Sequence, residues 1–168
     1  MAAEATNDGI PAIFHTIARH RHLIVPVSFL ALVGVLVVPL RLQPGDDLRG
    51  VLEAWMGEQQ EQAGCLISAV GSLSLGQLRL AGASEATAIH GELEILSLSG
   101  TLSPDGAHLH IAIADSKGAV IGGHLCAGCL VRTTVELVIG LLPQWRFCRQ
   151  LDPATGHAEL RISPQAPL

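Results

Sequence analysis

The chain has 168 residues, 49% of them hydrophobic and only 3% aromatic, with no tyrosine, which is material for one aliphatic core plus an appendage. The formal net charge is −5, and no Lys/Arg cluster of the kind that grips nucleic-acid phosphates is present, which argues against direct DNA binding by this chain. Four cysteines, at 65, 126, 129 and 148, are too few for a disulfide scaffold at this length and fit reduced, mostly buried thiols of a cytoplasmic protein.

Residues 1–36 read as an N-terminal extension, 37–142 as the domain proper, and 143–168 as a C-terminal strand and tail. Within the extension, residues 23–40 (LIVPVSFLALVGVLVVPL) carry no charge and reach the lower edge of a transmembrane span. Three readings compete. The segment is a membrane anchor flanked by Arg19 and Arg21, or a secretory signal lacking a small-x-small cleavage site. Alternatively, it is translated leader upstream of a true start at Val33, Val35 or Val37.

The domain opens on VVPLRLQ, a strand whose Pro39 suits its beginning or a sheet edge. Pro44-Gly45 marks a turn, with Asp46 as the expected N-cap. Leu48, Val51, Leu52, Trp55 and Met56 then recur at i, i+3, i+4, i+7 and i+8, which predicts a helix of about four turns with one apolar stripe. Trp55 and Met56 belong to that core face.

From Gly64 the period changes to two. GCLISAVGSLS, QLRLA, ELEILSLSGTLS, AHLHIAIAD, AVIGGHLC and LVRTTVELVIGLL read as strands. The turn signals between them are Gly76, Gly82, Pro104-Asp105-Gly106 and Ser116-Lys117-Gly118. Such short connections favour antiparallel pairing. The tail from Pro143 is mixed, with a last strand at HAELRIS.

The segment AHLHIAIADSKGAVIGGHLCAGC, residues 107–129, is the most informative. A three-residue loop at 116–118, with Gly118 supplying the left-handed position, sets His110 opposite His124. The same register puts Leu109, Ile111, Ile113, Ile121 and Leu125 on one face, and His108, His110, Ala112, Val120, Gly122 and His124 on the other. A slip of one residue would mix the sets and bury a histidine. Opposed Cβ atoms on antiparallel strands lie about 4.5–5.5 Å apart. Three neutral imidazoles so placed can converge on one divalent metal, zinc before iron, and leave a position for water or ligand. Gly122-Gly123 is expected to leave room beside it. The competing reading is three surface or subunit-interface histidines bonded to water and backbone. Cys126-Ala127-Gly128-Cys129 is a lone CxxC between strands, not the strand-to-helix setting of a redox pair. Cys126 shares the face of His124 and is a minor candidate for a fourth ligand.

Further matches extend over most of the domain: Gly91 with Glu94-Ile95-Leu96-Ser97-Leu98-Ser99-Gly100, His108-Leu109-His110, Gly122-Gly123-His124-Leu125, and Thr133-Thr134 with Glu136. Together with LRLQPGDDLRGVLE and SAVGSLS, these closely resemble the PPC (plants-and-prokaryotes conserved) domain, including the PPC part of plant AT-hook nuclear proteins, over residues 37–142. The resemblance implies an α+β fold, a mostly antiparallel sheet with one main packed helix, assembled as a homotrimer. It also implies a bacterial stand-alone type, without the Arg-Gly-Arg-Pro peptides by which plant members contact AT-rich DNA. At Glu92-Leu93 the chain departs from the Arg-Phe of plant members.

Three functions follow as expectations. The first is a homotrimeric binding module with a metal or small-ligand site at His108, His110 and His124. The second is a DNA-associated or transcription-associated regulatory protein. The third is a metal-dependent enzyme with Glu94 or Glu136 as acid/base, although no nucleophile motif or phosphate loop specifies a reaction.

Overall fold

A computed structural model describes residues 34–165. Most of the apolar segment, and with it the anchor, signal and leader readings, lies outside the described residues. Among the described residues no helix is long and apolar enough to cross a membrane.

The described chain forms β1 (Leu36–Leu42), α1 (Leu48–Gly57), β2 (Gly64–Arg79), β3 (Thr87–Ser103), β4 (Gly106–Ala114), β5 (Val120–Leu125), β6 (Leu130–Leu141), β7 (Trp145–Leu151) and β8 (Ala158–Pro164). Six strands make one antiparallel sheet in the order β1-β6-β2-β3-β4-β5. Additional pairs Leu78–Leu125 and Arg79–His124 join β5 back to β2, so the sheet closes on itself at that end. The expected α+β architecture, mostly antiparallel with one helix, is therefore present. β1 is an edge strand, and that is where Pro39 sits, opposite Val138. A proline that cannot donate to a ladder is tolerated there.

Helix α1 is shorter than its apolar stripe suggested: ten residues, about three turns. Its N-cap is Asp47, whose carboxylate accepts from the Arg49 amide at 3.2 Å, rather than Asp46. Asp46 instead accepts from the Gln43 amide at 2.7 Å, closing the preceding turn. Two adjacent aspartates compete for one cap, and the turn takes the first. Leu48, Leu52, Trp55 and Met56 are buried against the sheet, and Val51 packs at the margin. Arg49 ties the helix to β4 and β5, donating to the carbonyls of Leu125 at 2.9 Å and Ala107 at 3.2 Å while pairing with Glu53.

Gly76 does not mark a turn. It lies inside β2, which runs unbroken from Gly64 to Arg79. A Cβ there would stand 3.0 Å from Ile113 Cδ1, so the glycine admits a core side chain from β4. Gly82 does turn the chain, with φ +75 between β2 and β3. The mixed tail resolves into a two-stranded sheet of β7 and β8. It docks through the buried Phe147, through the Phe147 amide on Gln62 O at 3.1 Å, and through Asp105, which accepts from the Arg149 amide at 2.9 Å.

Candidate metal centre

The β4–β5 hairpin carries the site, and its loop is fixed locally. The Asp115 amide bonds Ala119 O at 2.9 Å, which leaves residues 116–118 as the loop. Gly118 takes φ +80. The Asp115 carboxylate accepts from the amides of Lys117 at 2.8 Å and Ala119 at 2.9 Å, an arrangement that closes the turn from within. The resulting register pairs His110 with His124 and Ile113 with Ile121. Leu109, Ile111, Ile113 and Leu125 are buried, whereas His108 and His124 are half-buried and His110 is exposed. The two-face pattern read from the sequence is the one observed.

All three imidazoles meet on the outer face. Ring centroids lie 5.4 Å apart for His108–His110, 5.0 Å for His108–His124 and 4.4 Å for His110–His124. One nitrogen of each lies within 4.8 Å of the others. A tetrahedral zinc with three nitrogens at about 2.0–2.1 Å needs them about 3.4 Å apart, an approach that side-chain rotation on a solvent-facing sheet can make. Burial lowers the His108 pKa below its ordinary value, and Arg149 lowers it further. Burial also lowers that of His124, followed by Arg79. Both shifts favour the neutral imidazole, which is the form that ligates a metal.

Strand β3 supplies the neighbouring wall. His108 pairs with Thr101 and His110 with Ser99, with Gly100 between them. Gly100 has φ +138, and a Cβ there would lie 2.0 Å from His108 O, so the residue lets β3 pass close behind the first histidine. Gly122 and Gly123 do not open space as expected. A Cβ on Gly123 would meet Arg79 O at 2.8 Å and one on Gly122 would meet Ile111 O at 3.0 Å. These glycines allow β5 to press against both β2 and β4.

The room beside the histidines lies on the opposite side. A cavity of about 250 Å³ is lined by Ser99, Gly100, Thr101, His108, His110, Arg149 and Leu160. Arg149 and Leu160 are paired residues of β7 and β8. Sequence reading missed both, because a strand of mixed composition gives no sign of what it will lie against. Ser99 of β3 is also part of this wall.

The other candidates are not brought to the histidines. Cys126 is outside the cluster, its thiol 3.8 Å from His124 O and its amide bonded to Gln77 O. Cys129 is buried, accepting from the Gln77 amide at 3.1 Å, and burial pushes its thiol up to about 11. Glu94 pairs with Ser72 and Ala114, five residues along β3 from Ser99, and Glu136 pairs with Arg41 and Val70 on the far side of β2. Neither stands beside the three imidazoles.

Comparisons with known proteins agree with this fold. The chain is 52% identical over 130 residues to a Synechococcus protein named bifunctional protein GlmU, covering 77% of this chain and 21% of that one. It thus spans about a fifth of the length of that relative. The fold matches a hypothetical protein from Salmonella with TM-score 0.77 and 42% identity, covering 79% of this chain and 96% of the other. It also matches a metal-containing protein from Archaeoglobus fulgidus with TM-score 0.62 and 27% identity, covering 74% and 91%. With the profile of the Plants and Prokaryotes Conserved domain matching residues 34–143, the chain belongs to that family.

Proposed function

We propose that this domain is a homotrimeric binding module whose His108, His110 and His124 hold one divalent transition metal, zinc first, and present it to a small ligand. The observation that carries this reading is the convergence of three imidazole nitrogens within 4.8 Å on a solvent-facing sheet. The name of the Archaeoglobus neighbour, a metal-containing protein of the same fold, supports it. When bound, the metal would supply a Lewis-acidic position. The protein's part is to hold the imidazoles neutral and converging, and to shape the cavity beside them.

The trimer is supported by apolar side chains that the sheet leaves in solvent. Val37, Ile67, Val70 and Leu96 are 49–56% exposed on β1, β2 and β3. Exposed apolar surface on a chain this poor in charge is what a subunit interface covers.

Elemental analysis of untagged protein tests the metal reading. About one transition-metal ion per chain is expected for the wild type, and none for the triple His→Ala variant. Equal metal in both, or none in either, would leave three interface histidines.

A further inference from the structure

The charge around the cluster points to the class of ligand. Three neutral imidazoles bring no negative charge to a divalent cation. Arginines stand at both ends of the cluster: Arg149 lines the cavity beside His108, and Arg79 pairs with His124 across β2 and β5. Among the described residues neither arginine has a carboxylate within salt-bridge distance. The Arg149 guanidinium reaches Thr101 Oγ1 at 3.4 Å, and that of Arg79 reaches the carbonyl of Ala83 at 3.5 Å. The nearby Arg49 is neutralised by Glu53 at 2.9 Å. The acidic group acting on His108 is Glu159, which neighbours Leu160 in sequence, does not line the cavity and accepts from Thr155 Oγ1 at 3.1 Å. A loaded centre therefore carries surplus positive charge facing an open cavity with room for a small anion.

The cavity also has an apolar side. Arg149 and Leu160 face each other across β7 and β8, so a cation and an aliphatic wall stand together above the histidines. Arg149 is held from behind by its amide bond to Asp105 at 2.9 Å. This hairpin lies beyond residues 34–143, the span that matches the family profile.

We propose that the site takes a small organic carboxylate, with its head group between the metal and the Arg149 guanidinium and its short aliphatic part against Leu160. A planar guanidinium matches a carboxylate in geometry as well as charge. The proposal rests on the three-histidine reading, and its test separates the two.

Full-length protein is stripped with chelator and titrated with Co²⁺ by calorimetry. The loaded protein is then titrated with butyrate while the visible absorption of the cobalt is followed. Wild type and Arg149→Gln are both expected to take up about one cobalt per chain at a pH above the histidine range. Butyrate should perturb the spectrum of the wild type, butyramide should not, and Arg149→Gln should weaken butyrate at least about tenfold. Leu160→Asp, which places a carboxylate opposite Arg149, should lose the butyrate response while retaining cobalt. Arg149→Lys should recover part of it, separating charge from damage to the hairpin. An unchanged butyrate titration in Arg149→Gln, or no spectral response in cobalt-loaded wild type, overturns the carboxylate proposal and leaves the metal site standing. Failure of the wild type to take up cobalt overturns both.

Discussion

His108, His110 and His124 carry the proposed chemistry, and each is expected to be individually indispensable. A site with three protein ligands loses most of its affinity with any one, whereas the apolar face of the hairpin is untouched by the change. Replacing any one with Ala should abolish tight metal binding and leave the circular dichroism unchanged. His90 and His157 lie away from the cluster, and their replacement should leave metal content as it is. The pH dependence has a defined sign. The folded-state pKa values of His108 and His124 are lowered, so the unfolded chain takes up protons first as pH falls. Their contribution to stability is fully present above the ordinary histidine value of about 6.5 and is lost below it. Metal affinity should fall through the same window, as calorimetric titrations between pH 8 and pH 5 would show. Gly100 supports the site from behind. Gly100→Ala combines φ +138 with a 2.0 Å approach to His108 O and is expected to cost about 3 kcal/mol or more in urea unfolding.

At the scale of elements, the β4–β5 hairpin and helix α1 stand at the closed end of the sheet, joined by Arg49. The helix contributes Leu48, Leu52 and Met56, all fully buried, and its polar edge reaches the start of β4, where Glu53 accepts from the Ala107 amide at 3.1 Å. Leu52→Ala should therefore cost about 2–5 kcal/mol, the range for a buried leucine truncated in a packed core. A loss under 1 kcal/mol in chemical denaturation would mean that the helix does not share the main core. The β7–β8 hairpin is held by less: Phe147, one backbone bond to Gln62, the Asp105 contact and the Arg149 bond to Thr101 Oγ1.

For the whole molecule, the expected state is a trimer. Light scattering of full-length protein at micromolar concentration should give three times the chain mass of 17.6 kDa. Ile67→Asp combined with Val70→Asp places charge at positions 54% and 56% exposed in the single chain. It should yield folded monomer, because surface substitutions cost a lone domain little. A wild-type monomer at that concentration would sink the trimer.

By itself the sequence determined the histidine face. Alternation of period two fixes which side chains share a side of a strand, and Gly118 fixes the loop, so Leu109 to Leu125 could be sorted into two faces without coordinates. The α1 stripe was legible for the same reason, as period 3.6 is local. The family resemblance was legible in the strings from Gly91 to Glu136, and the profile match agrees with it. Tertiary structure alone decided the rest. Gly76 looked like a turn because its reason, Ile113 of β4 pressing on it, is 37 residues away. Gly123 reads as open space because the backbone it accommodates, at Arg79 of β2, is 44 residues away in sequence. Arg149 and Leu160 were invisible because nothing in WRFCRQL or AELRISP says which surface that hairpin will cover. Local periodicity is written residue by residue, whereas the meeting of distant strands depends on the packing of the whole core.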